Sequence, residues 1–180
     1  MGFEKSKRQC ILKKERIAME NQKSASYAAR AKVVAFNAVR WARKMIGSPA
    51  YSRFRFKGPL IMGVTKCNLF VSDAFNKSNL GPKPLPGKPS KTALYRGLGR
   101  MRELSAREFK YGMALKFNLV QTPRIGDICT DGQHVGIVSG KSTTISASTI
   151  TDTVVENDWG FRGNTGRPQP NVKFYRYNGR

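Results

Sequence analysis

Apolar residues recur at helical spacing in the first half of this chain and at strand spacing in its last third. Few folds accommodate that order. Over 27–46, Tyr27, Ala31, Val34, Ala35, Ala38, Ala42, Met45 and Ile46 fall on one helical face, and Arg30, Lys32, Asn37, Arg40 and Arg43 on the other. Gly47 and Pro49 end that pattern. A second amphipathic run opens at Cys67 and reaches about Lys77. From Ile125 onward, 125–130, 134–139, 142–148, 153–158 and 172–177 read as strands, and the last alternates cleanly enough to be the closing one. Helices followed by strands predict a single α+β domain, with N-terminal helices packed on a C-terminal antiparallel sheet or open barrel.

The segments between are less regular. Residues 1–26 read as a basic polar arm, partly helical and set apart from a domain over 27–180. Residues 50–64 read as an aromatic-rich connection. Pro82, Pro84, Pro86 and Pro89 make 79–92 a stiff surface loop, the kind that lines a site. Short helical stretches are expected within 91–117.

Charge narrows the partners. The 180 residues hold 33 Lys and Arg against 11 Asp and Glu, a net charge of +22 that draws the protein to polyanions. The cations are spread along the chain, with no helix-turn-helix or RNA-binding aromatic motif, so specific nucleic-acid recognition is not expected. Attraction to an anionic wall or envelope is. No apolar run is long enough for a membrane span, and no conventional secretory signal opens the chain. Three cysteines and one histidine leave neither a disulfide framework nor a zinc spacing, and no metal or cofactor is implied.

That one histidine, His134, sits in a strand, turn, strand pattern over 126–140. It is the obvious base at neutral pH. Cys67 opens its helix, where the dipole favours thiolate and free backbone amides can bind an oxyanion; Lys66 beside it adds a positive charge. A cysteine at a helix start and a histidine at a strand start are the two halves of a thiol–imidazole pair. The plainer reading makes Cys67 a core residue, since Phe70, Val71 and Ala74 at helical spacing are all apolar. Cys129 is a lesser candidate nucleophile: with Asp131-Gly132 as a two-residue turn, it would lie opposite His134.

Lys66-Cys67-Asn68-Leu69, Gly126-Asp127-Ile128 and His134-Val135-Gly136-Ile137, in this order, resemble the NlpC-type papain-like cysteine peptidases and amidases, which cleave peptidoglycan stem peptides. Gly47-Ser48-Pro49-Ala50-Tyr51 and Ile145-Ser146-Ala147-Ser148 resemble the family's flanking segments. The resemblance covers roughly 30–177 and implies a papain-like fold with Cys67 as nucleophile and His134 as base. It puts Tyr51 at the oxyanion and Asn68 in contact with substrate. The third polar residue aligns with Ser146. Asn157 and Asp158, near the shielding Trp159, are the preferred holders of the imidazole because their groups suit it better. Lys66 and Asn68 replace the family's usual neighbours of the cysteine, which suggests a divergent branch similar to type VI secretion amidase effectors. Such a protein would be a monomeric antibacterial toxin, made in a bacterial cytoplasm, acting in a target's periplasm or wall, and matched by an immunity protein. A cysteine hydrolase or acyltransferase acting on protein or lipid, and a non-catalytic polyanion binder, are the alternatives.

Overall fold

The computed structural model describes residues 2–55, 66–78, 116–159 and 172–179, with backbone alone for 2–8 and 10. The proline-rich segment 79–92 and all but the last two residues of the region 91–117, where short helical stretches are expected, lie outside the described residues. Within them, helices pack against a six-stranded antiparallel sheet. The first, α1 (Gly2–Lys44), runs unbroken for 43 residues. From residue 2, the arm expected over 1–26 is helical and continuous with the run over 27–44, and its side chains from 11 to 26 are exposed. From Phe3 to Ile46 there is no glycine or proline, and Ala, Lys, Arg, Glu and Gln dominate, so nothing locally stops the helix. A 3₁₀ turn (Pro49–Tyr51) follows, capped by the Ser48 hydroxyl accepting the Ala50 N–H. Helix α2 spans Cys67–Asn76.

The strands are β1 (Phe117–Val120), β2 (Ile128–Thr130), β3 (Val135–Val138), β4 (Thr143–Ala147), β5 (Val154–Asp158) and β6 (Lys173–Tyr177), in the order β1-β6-β2-β3-β4-β5. Five match the expected strands within a few residues. β1 was not expected: it is a short edge strand whose middle residues Asn118 and Leu119 are exposed, and it is defined by pairing with β6.

Helix α1 contributes Val34, Ala38 and Ala42 to the core, and α2 contributes Phe70, Val71 and Ala74. Both press on the sheet face carrying Ile128, Val135, Ile137, Ile145, Val154 and Tyr175. Each fully buried aliphatic or aromatic side chain contributes about 1.5–3 kcal/mol. The other face carries a smaller cluster of Cys129, Val138 and Phe174 with Trp159 and Val172.

The Gly126-Asp127 pair closes the contact between α1 and the sheet. Gly126 has φ +91°, and a Cβ there would lie 2.5 Å from the Ala35 Cβ. Asp127 is buried; Arg176 grips it with Nε and Nη2 at 2.9 and 2.7 Å, and the Arg124 N–H donates to it at 2.7 Å. The ion pair ties β6 to the turn before β2.

Gly126→Ala is expected to destabilise the protein by about 2 kcal/mol, combining overpacking with backbone strain. Gly47→Ala, at φ +81° with nothing within 4 Å, should cost only the strain. Asp127→Asn should cost about 2 kcal/mol, because the charge-assisted bonds weaken. Urea denaturation checks all three; equal losses at Gly126 and Gly47 would show that the close approach carries no weight.

Candidate active site

Cys67 is the first residue of α2, and its cap residue, Lys66, makes no side-chain capping bond. The backbone amides of Val135, Asn68 and Cys67 itself are directed at the sulfur and pull the thiol pKa down. Burial outweighs them and pushes it up, with a further rise from the Asp131 carboxylate. The residue is 3% exposed. Val135 immediately follows His134, so packing α2 on β3 brings the cysteine and the histidine to adjoining points of the fold.

His134 closes the β2–β3 hairpin. Its N–H donates to Asp131 Oδ1 at 2.7 Å, the Gln133 N–H donates to the same oxygen at 2.8 Å, and the Asp131 N–H donates to the His134 carbonyl at 3.3 Å. The turn residues are thus Gly132 and Gln133, one position later than the sequence suggested. The Asp131 side chain captures two amides and moves the turn. The register becomes Thr130 with Val135 and Cys129 with Gly136. Cys129 is therefore not opposite His134. It belongs to the cluster on the sheet's other face, its thiol reaches the Trp159 carbonyl at 3.4 Å, and burial pushes its pKa far up.

Burial lowers the His134 pKa and Asp131 opposes that shift. Among the described residues, Asp131 is thus the carboxylate whose field reaches both Cys67 and His134. Sequence reasoning passed over it, although its position at the turn beside the histidine was a usable signal. Burial thus disfavours the charged form of each group, raising the thiol pKa and lowering the imidazole pKa.

The other expected members fall elsewhere. Asn157 pairs with Thr144 and Asp158 with Thr143, while Thr144 pairs with Val138. Strands β3 and β5 run parallel on either side of β4, so the end of β5 is level with the end of β3. His134 precedes the start of β3, roughly 13 Å away along the strand. The register does not bring Asn157 or Asp158 beside it. Ser146 faces Val155 on one side and is level with Gly136 on the other, two residues from His134. Its hydroxyl is buried without a hydrogen-bond partner among the described residues.

Tyr51 is buried edge-on against Phe70, with centroids 5.2 Å apart, and its hydroxyl donates to Asp73 Oδ2 at 2.5 Å. Asp73 lies six residues after Cys67, roughly 9 Å along the helix axis. Tyr51 thus braces the middle of α2 rather than its amino end, and desolvation together with Asp73 raises its pKa. Lys66 is also committed elsewhere: it is buried, and Nζ donates to the Ser52 carbonyl at 2.9 Å. Burial lowers its pKa and Asp152 opposes the change. Asn68, partly exposed in the first turn of α2, is the expected substrate-contact residue that remains at the helix start. Among the described residues, no group of three His, Cys, Asp or Glu side chains could hold a metal ion.

These features define a class only at the level of architecture: an α+β protein with helices on one face of a six-stranded antiparallel sheet and a cysteine-led helix against a histidine-led strand. No protein-family profile, curated protein or solved structure matches the chain.

The lowered His134 pKa sets a pH dependence. The unfolded chain takes up a proton near the ordinary value of 6.5, and the native state only at lower pH. Stability should therefore fall as pH drops below 6.5. Denaturation midpoints taken down to about pH 5, above most carboxylate titration, should show the slope in wild type and not in His134→Gln. The same slope in both would remove His134 as its source.

Proposed function

We propose that the chain is a papain-like cysteine hydrolase that cleaves an amide bond in peptidoglycan stem peptides. The observation that carries this reading is the seating of the Cys67 sulfur against the Val135 amide, one residue from the only histidine. Substrate preference rests on the NlpC-type resemblance of Cys67, Gly126-Asp127 and His134-Val135-Gly136-Ile137, and on the +22 charge.

In this mechanism Cys67 Sγ attacks the amide carbonyl carbon as His134 takes the thiol proton. The neutral imidazole is in the form needed for that transfer. The carbonyl oxygen becomes an oxyanion, which the uncapped amides at the start of α2 stabilise. Collapse of the intermediate breaks the C–N bond. The proton passes from His134 to the leaving amine, and a thioester remains on Cys67. Water, deprotonated by His134, then releases the acid and restores the thiol. Asp131 stabilises the transient imidazolium. Ser146 replaces Asp158 and Asn157 as the proposed holder of the ring, because its unpartnered hydroxyl lies nearer the start of β3. Action in a target envelope, delivery by a secretion system and neutralisation by an immunity protein follow from the same resemblance. Among the described residues, no helix is long and apolar enough to cross a membrane.

The 3% exposure of Cys67 favours a second reading, in which it is a core residue of a non-catalytic polyanion binder. Digestion of purified sacculi, read by mass spectrometry, separates the two. Wild type should release defined muropeptides. Cys67→Ala and His134→Ala should each lose about a thousandfold or more while keeping their melting temperatures, with the double variant no worse than either. Ser146→Ala should lose less. Undiminished release by folded Cys67→Ala, or none by wild type, would overturn the hydrolase assignment.

A further inference from the structure

A groove of about 800 Å³ lies between α1 and the β1–β6 edge of the sheet. Lys23 and Lys32 on α1 form one wall, and Arg124 and Arg176 stand on the sheet side. Arg176 is already neutralised by Asp127, and the groove's one acid, Glu20, faces Arg16 at 3.7 Å. Lys23, Lys32 and Arg124 are exposed. They leave the groove strongly positive.

Its place in the fold separates it from the candidate active site. β6 begins at Lys173, paired with Thr130, and Thr130 also pairs with Val135 at the His134 end of β3. The groove lies at the other end of β6, around Arg176, Tyr177 and Asn178, roughly 13 Å along the strand.

Its shape and chemistry select the ligand. Lys23 and Lys32 are nine residues, two and a half turns, apart on one helix, so they stand on opposite flanks of the face that lines the groove, roughly 13 Å apart along the axis. Arg124 faces them from the sheet. A linear chain with repeated charges can meet all three, whereas one compact anion cannot. Asn118, Asn178 and Tyr27 supply hydrogen-bonding groups for phosphate oxygens. Tyr27 is 38% exposed and Tyr177 only 3%, so among the described residues the groove offers no paired aromatic platform for nucleic-acid bases.

We propose that this groove docks an extended phosphodiester polymer of the bacterial envelope and holds the protein on its substrate from a site separate from Cys67 and His134. The envelope as source rests on the amidase reading, whereas the phosphodiester chemistry rests on the groove alone.

The test uses poly(glycerol phosphate) as probe, titrated by fluorescence anisotropy at about 0.15 M salt. Lys23→Glu, Lys32→Glu and Arg124→Glu are combined in one variant. Lys14→Glu, Lys44→Glu and Lys141→Glu, exposed and outside the groove, are combined in a charge-matched control. The groove variant should bind about tenfold or more weakly than the control and show a shallower salt dependence. A glutamine set at the groove positions replaces the reversal if it lowers the melting temperature. Equal losses in both variants would overturn the proposal and leave only a diffuse field. A groove-specific loss larger for a single-stranded oligonucleotide than for the polymer would reassign the groove to nucleic acid. Cleavage of small soluble muropeptides should be unchanged in the groove variant, so failure of docking and failure of the amidase reading are read separately.

Discussion

Everything proposed for the site depends on how α2 sits on the sheet. Phe70, Val71 and Ala74 bury one helical face against Val135, Ile137 and Ile145. Tyr51 braces the same helix from outside, through Phe70 and the hydroxyl bond to Asp73. A short helix is marginal by itself and takes its position from this packing. Once it is seated, its amino end meets the start of β3, and the Cys67 sulfur has little freedom to be anywhere but beside the Val135 amide. Displacement of α2 by a single turn would separate the cysteine from the histidine.

Burial then sets the electrostatics. A thiolate at a helix start is often written as the resting state, because the dipole and nearby amides favour it. Here desolvation outweighs the amides at Cys67 and Asp131 at His134, and it works against the charged form of both groups. The consequence is a division of labour. In the proposed mechanism, His134 would act as a base during the attack, and Asp131 would matter once charge had formed. The carboxylate that raises the histidine pKa also disfavours the thiolate, which limits how early the proton can leave.

Two cations, Lys66 buried and Arg176 half-buried, hold the frame around that pair. Lys66 ties the start of α2 to the Ser52 carbonyl after the 3₁₀ turn, and Arg176 ties β6 to Asp127 before β2. Lys66 in particular is not the surface charge that composition alone would make it. The Gly-Asp pair that resembled a family signature thus has a physical task in this chain: the glycine admits α1, and the aspartate anchors the strand that forms one wall of the basic groove.

The order of helices before strands, the extent of α2 and five of the six strands could be read from residue spacing, because periodicity reports which face a segment buries. The pairing of Cys67 with His134 as a candidate could be read too, since few residue types do that chemistry. Other features depended on contacts distant in sequence. β1 exists because β6 is beside it. Tyr51 points to Asp73, a partner that spacing could not reveal. The hairpin turn moved by one position because the Asp131 carboxylate took two amides, and the resulting two-residue change of pairing removed Cys129 from His134. Asn157 and Asp158 carry the right groups but at the wrong end of the ladder, since antiparallel pairing through β4 returns β5 to the direction of β3. Local sequence determined which segments are helix or strand and which side chains have reactive chemistry. Tertiary pairing alone decided which of those side chains meet, because register and packing are set by partners that the local pattern does not name.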